Sequence, residues 1–219
     1  MRVVFHAGFH KTGTTSVQRA LQAHAPLLEP HALIQTRSRN LPFSEAAIAA
    51  RAHSADPGPQ TLHRLALSLD HWAERLTPLP GQAILCSCED FAGHIPFRYG
   101  LKDYRSAEAI LPEVAASLKR RFGPALDLQV LFTTRAAEPW LRSIHWQLAK
   151  HHELRLKQRR FSKLFAGAAD FAAVLEPLAA RLVPFPLHVA ALESLSPRRL
   201  GPVEALYDLI PLTEALRAR

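Results

Sequence analysis

The segment 8–16, Gly-Phe-His-Lys-Thr-Gly-Thr-Thr-Ser, holds the first residues that could do chemistry, and it lies between an apolar run and a helical pattern. A glycine-containing turn between a strand and a helix directs backbone N–H groups into one concavity, and the helix amino terminus adds partial positive charge. Lys11 adds a full charge, and Thr14, Thr15 and Ser16 add hydroxyl groups. The segment therefore predicts a phosphate-binding loop.

The position of the lysine separates this loop from the nucleoside-triphosphate loop GxxxxGK[ST], in which lysine follows the second glycine. Gly8 and Gly13 have the required spacing, but Thr14 follows Gly13 and Lys11 precedes it by two positions. A P-loop nucleotide kinase or NTPase is therefore the second hypothesis. A non-catalytic nucleotide-binding module of the same fold stays open as a third.

The string Lys11-Thr12-Gly13-Thr14-Thr15 resembles the 5′-phosphosulfate loop of sulfotransferases that use 3′-phosphoadenosine 5′-phosphosulfate (PAPS), especially the short bacterial members. The resemblance implies PAPS as cofactor, adenosine 3′,5′-bisphosphate as product, and a hydroxyl or amine of a small molecule or glycan as acceptor. It implies that Lys11 is catalytic, that all five residues bind the cofactor, and that no metal is required.

A second motif is expected because PAPS carries a 3′-phosphate. In that family an arginine ends a later strand and a serine follows eight residues on. Here Arg135 comes directly after the run 128–134, and Ser143 has that spacing. A guanidinium is a planar fork matched to phosphate, and a serine early in a helix lies near the positive end of the helix dipole. The resemblance therefore assigns Arg135 and Ser143 to the 3′-phosphate. The tail 184–219 lacks the Arg-Lys-Gly-rich segment of the drug- and steroid-conjugating branch, so a bacterial or carbohydrate-type branch is implied and the adenine contacts stay undefined.

The end of the apolar run 83–88 is where a base is expected, because the acceptor hydroxyl must lose a proton. Glu89 and Asp90 follow that run directly. In the family a histidine or glutamate near this point is the base, so the resemblance makes Glu89 the first candidate, Asp90 the second and His94 the third. A helix-capping carboxylate, or an ion-pair partner of Lys11, stays open as the interpretation of Glu89.

Four near-continuous apolar runs, 2–7, 83–88, 128–134 and 187–192, are typical of strands buried on both faces. Helical stripes at 62–76, 107–122 and 171–182 alternate with them, and 54–60 reads as a loop between helices. This order predicts an α/β three-layer sandwich, P-loop-NTPase-like, with a central parallel sheet of about four or five strands. In such sheets ligands bind at the carboxyl ends of the strands. We expect the acceptor pocket to come from the segments 29–60 and 91–106, whose shape the sequence does not reveal.

The charge balance favours an anionic partner: 27 Lys and Arg against 19 Asp and Glu give a formal net charge of +8. A solvated helix face and an electropositive rim that attracts PAPS or an acidic acceptor both stay open for the basic residues between 142 and 163. No zinc finger, helix-turn-helix or aromatic-interleaved basic motif is found, so no nucleic-acid partner is expected. The basic residues of that segment are Arg142, Lys150, Arg155, Lys157, Arg159, Arg160 and Lys163.

The 219-residue length predicts one domain spanning 1–219. No apolar run approaches the roughly 20 residues of a membrane span, and no signal-peptide pattern is found, so a cytoplasmic protein without stable membrane insertion is expected. Cys86 and Cys88 fit buried, reduced thiols better than a disulfide or a zinc site. The histidines, His151 and His152 included, lack metal-ligand spacing and are mostly expected at the surface. For His10, inside the loop, mainly a backbone contribution is expected. Oligomeric state is left open.

Overall fold

The computed structural model describes residues 1–150 and 154–210; His151 and His152 lie outside this part of the chain. Its centre is an all-parallel, five-stranded sheet in the order β2-β3-β1-β4-β5. Apolar layers lie on both of its faces, where helices pack. The predicted α/β three-layer architecture is therefore confirmed. The strands are β1 (Arg2–His6), β2 (Ala32–Thr36), β3 (Ala83–Ser87), β4 (Asp127–Thr134) and β5 (Leu187–Ala191).

Four of these strands coincide with the apolar runs, whereas β2 was not among them. It has five residues, and two of them, Gln35 and Thr36, are polar yet buried. The amide of Gln35 is satisfied because its Oε1 accepts a hydrogen bond from the indole Nε1 of Trp72 at 3.2 Å. Since that partner lies far away in the sequence, the pattern of β2 itself did not indicate a buried strand.

The predicted helical stripes coincide with α4, α5 and α8, and the loop predicted at 54–60 is shorter, at 56–58. Short 3₁₀ turns lie at Glu89–Ala92, Gly123–Ala125, Ala166–Ala169 and Gly201–Val203. The α-helices are α1 (Thr14–Ala23), α2 (Ala25–Leu28), α3 (Leu41–Ala55), α4 (Pro59–Glu74), α5 (Ala107–Phe122), α6 (Ala137–Lys150), α7 (Gln158–Leu164), α8 (Ala172–Leu182), α9 (Leu192–Leu195) and α10 (Glu204–Tyr207).

Strand β1 is fixed from both faces because its side chains alternate between the two apolar layers. Phe5 packs on one face against Phe43, Trp72 and Phe91, with ring centroids 5.0–6.2 Å apart. Val4 belongs to the layer on the other face. Because β1 lies between β3 and β4, the segments that follow these three strands meet at one edge of the sheet.

Cys86 and Cys88 are buried free thiols, as predicted, and burial raises the pKa of both. Among the described residues, no helix has the length and hydropathy needed to cross a membrane. No group of three or more His, Cys, Asp or Glu side chains within 1–150 and 154–210 has an arrangement that could hold a metal ion.

Candidate active site

The loop between β1 and α1 is held in a left-handed conformation at three positions. The φ angles are +58° at Gly8, +67° at Lys11 and +96° at Gly13. A Cβ atom on Gly8 would lie 2.7 Å from Cγ2 of Thr14 and 2.8 Å from Nε2 of His6. Glycine is therefore required at position 8 by both conformation and space. Lys11, in the middle of the loop, has a positive φ angle, which is uncommon for a residue other than glycine.

The loop presents a row of unused backbone donors. Within the described part of the chain, no hydrogen bond is donated by the backbone N–H groups of residues 11–15. Helix α1 begins at Thr14 and has no side-chain cap, so its first N–H groups also lack partners. Buried N–H groups normally have an acceptor, and Thr12 and Thr14 are buried. The loop therefore fits an anion such as a phosphate group.

A buried polar network supports the loop from below. The imidazole of His6 contacts the hydroxyl of Ser87 at 2.9 Å through Nδ1 and that of Thr133 at 3.1 Å through Nε2. Thr133 in turn lies 2.8 Å from the hydroxyl of Thr12, which donates to the carbonyl of Phe9 at 2.6 Å. Burial lowers the pKa of His6 to about 4, so the ring is neutral at pH 7. The network ties the loop to the ends of β1, β3 and β4, and the sequence analysis did not identify it.

The segment after β4 holds the loop from the side. Arg135 donates from Nη1 to the carbonyl of Lys11 at 3.3 Å, and Trp140 donates from Nε1 to the carbonyl of His10 at 2.9 Å. These bonds engage the carbonyls of the loop. Burial and the positive charges of Lys150 and Arg135 lower the pKa of Lys11, while Glu89 opposes them.

One cleft of about 500 Å³ collects the predicted residues from three distant segments of the chain. Thr12 is the exception, because its side chain is buried beneath the loop. The predicted site residues that line the cleft are Lys11, Gly13, Thr14 and Thr15 after β1, Glu89 after β3, and Arg135 and Ser143 after β4.

The three candidate bases have different surroundings. Glu89 is half-buried in the cleft wall, and its Oε2 accepts a hydrogen bond from Gln18 at 2.8 Å. Asp90 is buried and pairs with Arg37 at 2.5 Å. His94 is buried, and its Nε2 lies 3.0 Å from Nη2 of Arg51. Of the three, Glu89 is the one without a guanidinium partner in the described part of the chain.

Charge, more than burial, sets the state of Asp90. Burial raises its pKa, but the nearby His10 ring and the charges of Arg37 and Arg51 lower it overall. Asp90 is therefore a carboxylate at neutral pH. Its two oxygens are directed at Arg37 and at the side of the cleft that holds Arg51 and His10, which suits a structural anion better than a base.

The ring of His10 takes part in the site as well as its backbone. It stacks on Tyr104 with centroids 5.8 Å apart, and its Nδ1 lies 3.2 Å from the tyrosine hydroxyl. Its Nε2 lies 3.7 Å from Oδ1 of Asp90. The expectation that His10 contributes mainly its backbone therefore leaves out these side-chain contacts. Tyr104 is a neighbour of the site that no local sequence signal indicated.

The basic residues of segment 142–163 are exposed, and none of them belongs to the described lining of the cleft. The lining has instead two arginines that the sequence analysis missed, Arg51 from α3 and Arg98 from the segment after β3. Both lie within the segments expected to form the acceptor pocket. No pattern distinguished them from the other arginines of the chain, because their place in the cleft depends on how α3 packs against the segment after β3.

No protein-family model matches this chain, and no curated protein matches it either. The resemblance to PAPS-dependent sulfotransferases therefore stays a prediction from the two sequence motifs.

Proposed function

We propose that the protein is a PAPS-dependent sulfotransferase that transfers a sulfuryl group to a hydroxyl or amine of a small-molecule or carbohydrate acceptor. The observation that carries this proposal is the meeting of two anion-binding groups in one cleft. Lys11 with the unused N–H groups of residues 11–15 forms one, and Arg135 with Ser143 forms the other. A nucleotide with phosphates at both its 5′ and 3′ positions matches two such groups.

The chain's own residues divide the binding work. The N–H groups of residues 11–15 and the start of α1 would hold the 5′-phosphate, and Arg135 and Ser143 the 3′-phosphate. Bound PAPS supplies an activated sulfuryl group on its 5′-phosphate. Arg135 would also keep the loop in position, since it donates to the carbonyl of Lys11.

Glu89 and Lys11 would act on either side of the transferred group. Glu89 takes the proton from the acceptor hydroxyl, whose oxygen forms a bond to sulfur as the bond from sulfur to the phosphate oxygen breaks. The electron pair of that broken bond remains on the departing 5′-phosphate, where Lys11 stabilises the charge. No redox partner is needed.

Nucleotide titration tests the function directly. We expect adenosine 3′,5′-bisphosphate to bind at least tenfold more tightly than AMP, because a charge-assisted hydrogen-bond pair contributes about 1.5–3 kcal/mol. Arg135→Ala should remove most of that preference. Arg142→Ala, an exposed arginine paired with Glu138, is the control and should keep it. Binding by calorimetry gives the affinities.

Two results would count against the proposal. Preference for ATP with magnesium, and no effect of the 3′-phosphate, would favour the kinase or NTPase hypothesis. Tight bisphosphate binding without sulfuryl transfer to any acceptor in a broad hydroxyl and amine screen would favour a non-catalytic nucleotide-binding module.

A further inference from the structure

The cleft has a second charged wall that the two phosphate subsites do not use. Arg135 and Ser143 follow β4, whereas Arg51 comes from α3, and His94 and Arg98 follow β3. Because β1 lies between β3 and β4, the Lys11 loop stands between the two walls. The wall beside β3 is therefore on the side of the cleft away from the proposed 3′-phosphate subsite.

Asp90 does not fully neutralise the positive charge of this wall. Its Oδ2 is 2.5 Å from Nη1 of Arg37, and its Oδ1 is 3.7 Å from Nε of Arg51. One carboxylate thus faces two guanidinium groups, so the pairings leave an excess of positive charge. Arg51, with a side chain 36% exposed, carries that charge at the cleft surface.

His94 orients Arg51 without adding charge. Nη2 of Arg51 donates to Nε2 of His94 at 3.0 Å, which puts the ring proton on Nδ1, facing the carbonyl of Ile95 at 3.4 Å. Burial and the charges of Arg51 and Arg98 lower the pKa of His94, in agreement with a neutral ring. In the Arg51 guanidinium, Nη2 is directed at His94 and Nε at Asp90, and Nη1 is the remaining nitrogen that could donate to a ligand.

We propose that this wall binds an anionic group, a carboxylate or phosphate, carried by the acceptor itself, with Arg51 as its principal ligand. The proposal rests on the sulfotransferase function. It places the anionic group beside β3 and the reacting hydroxyl between Glu89 and Lys11, so the acceptor is a small hydroxyl compound that already bears a negative charge.

Inorganic sulfate is the probe for this wall. The 219-residue chain, saturated with adenosine 3′,5′-bisphosphate, is titrated with sulfate at constant ionic strength while the arginine Nε–H signals are followed by NMR. We expect saturable movement of one signal that is missing in Arg51→Gln. We also expect that variant to bind sulfate at least tenfold more weakly, while its bisphosphate affinity changes less than twofold.

Arg142→Gln is the matched control, because it makes the same charge change on an exposed helix face. It should leave sulfate binding unchanged; equal weakening in both variants, or an Arg51 signal that does not move, would overturn the proposal. Arg51→Lys keeps a positive charge beside Asp90 and should weaken sulfate binding a few-fold if Arg51→Gln does not fold. If the protein fails to bind the bisphosphate, that result counts against the sulfotransferase function. The response of the Arg51 Nε–H signal to sulfate separately tests whether the wall binds an anion.

Matched acceptors then distinguish the two anionic groups. Methyl glucoside, methyl glucuronide and methyl glucoside 6-phosphate share the 2-, 3- and 4-hydroxyls and carry at position 6 a neutral hydroxymethyl group, a carboxylate or a phosphate, so transfer to the 2-, 3- and 4-hydroxyls is compared. The preferred anion should be sulfated at least tenfold faster than the glucoside, and Arg51→Gln should remove that advantage. Equal rates for the neutral compound and both anions would overturn the proposal.

Discussion

Individual residues in the cleft differ most in how their charges are already engaged. Asp90 is held by arginines and His94 by Arg51, whereas Glu89 accepts a hydrogen bond from the neutral amide of Gln18. A carboxylate paired with a guanidinium is a poorer proton acceptor, and the lowered pKa of Asp90 argues against it as the base. Among the three candidates, these side-chain contacts therefore favour Glu89 as the proposed base.

Glu89→Gln tests this role. We expect turnover to fall by roughly 10²–10⁴-fold, the usual contribution of a general base, with bisphosphate affinity preserved. Glu138→Gln, whose side chain is 80% exposed on α6, is the matched control and should keep full activity. Sulfuryl transfer and bisphosphate binding are measured on both variants. Full activity in Glu89→Gln would exclude Glu89 as the base.

The buried His6 predicts a pH dependence of stability. Its pKa is about 4 in the folded protein, against an ordinary value of 6.5. Between these two pH values the imidazole is protonated in the unfolded chain but neutral in the folded protein. The stabilisation is complete above pH 6.5 and is lost as pH falls towards 4, by roughly 3 kcal/mol in total.

Urea unfolding between pH 7 and pH 4.5 measures this loss. His6→Asn should flatten the pH dependence, although it is less stable at pH 7 because the contacts with Ser87 and Thr133 change. His63→Asn, an exposed histidine of α4, is the control and should keep the slope of the unchanged protein. An unchanged slope in His6→Asn would contradict the assignment.

At the scale of elements, the junction of β1, its loop and α1 works as one unit. The loop bends back through glycine at positive φ, α1 begins directly at Thr14, and the ends of β3 and β4 support it through Ser87 and Thr133. The direction of the unused N–H groups depends on this geometry. Disturbing the bend should therefore affect stability and anion binding together.

Gly8→Ala probes the bend. The added Cβ atom would lie within 3 Å of side-chain atoms of Thr14 and His6 at a φ of +58°, so we expect a loss of about 2 kcal/mol or more in unfolding free energy. Bisphosphate affinity should fall as well. Gly167→Ala is the control, because a Cβ there meets no atom within 4 Å. Similar effects of the two substitutions would contradict the role of Gly8.

At the scale of the whole molecule, the architecture could be predicted because buried parallel strands are nearly continuous apolar runs. The residues of the loop between β1 and α1 could be identified because they are consecutive, and their phosphate-binding role stays a prediction. Arg135 and Ser143 could be found because they follow a strand in the expected order. Each of these signals is local in the chain.

The parts that escaped prediction depend on distant contacts. Strand β2 was not predicted; two of its five residues are polar, and the buried Gln35 accepts its hydrogen bond from the distant Trp72. Arg51 reaches the cleft because α3 packs beside the segment after β3. The network centred on His6 joins that residue to Ser87, which lies 81 positions away in the sequence, and to Thr133, which lies 127 positions away. No spacing rule within one segment could have revealed such contacts.

The central place of β1 also bears on how the chain folds during synthesis. Val4 pairs with Leu85 on one side and Gln129 on the other, so β1 leaves the ribosome well before either of its neighbours. Contacts of such long sequence separation slow folding and leave an apolar strand unpaired meanwhile. We therefore expect the loop between β1 and α1 to become rigid only after β3 and β4 have paired with β1, because Ser87 and Thr133 support it.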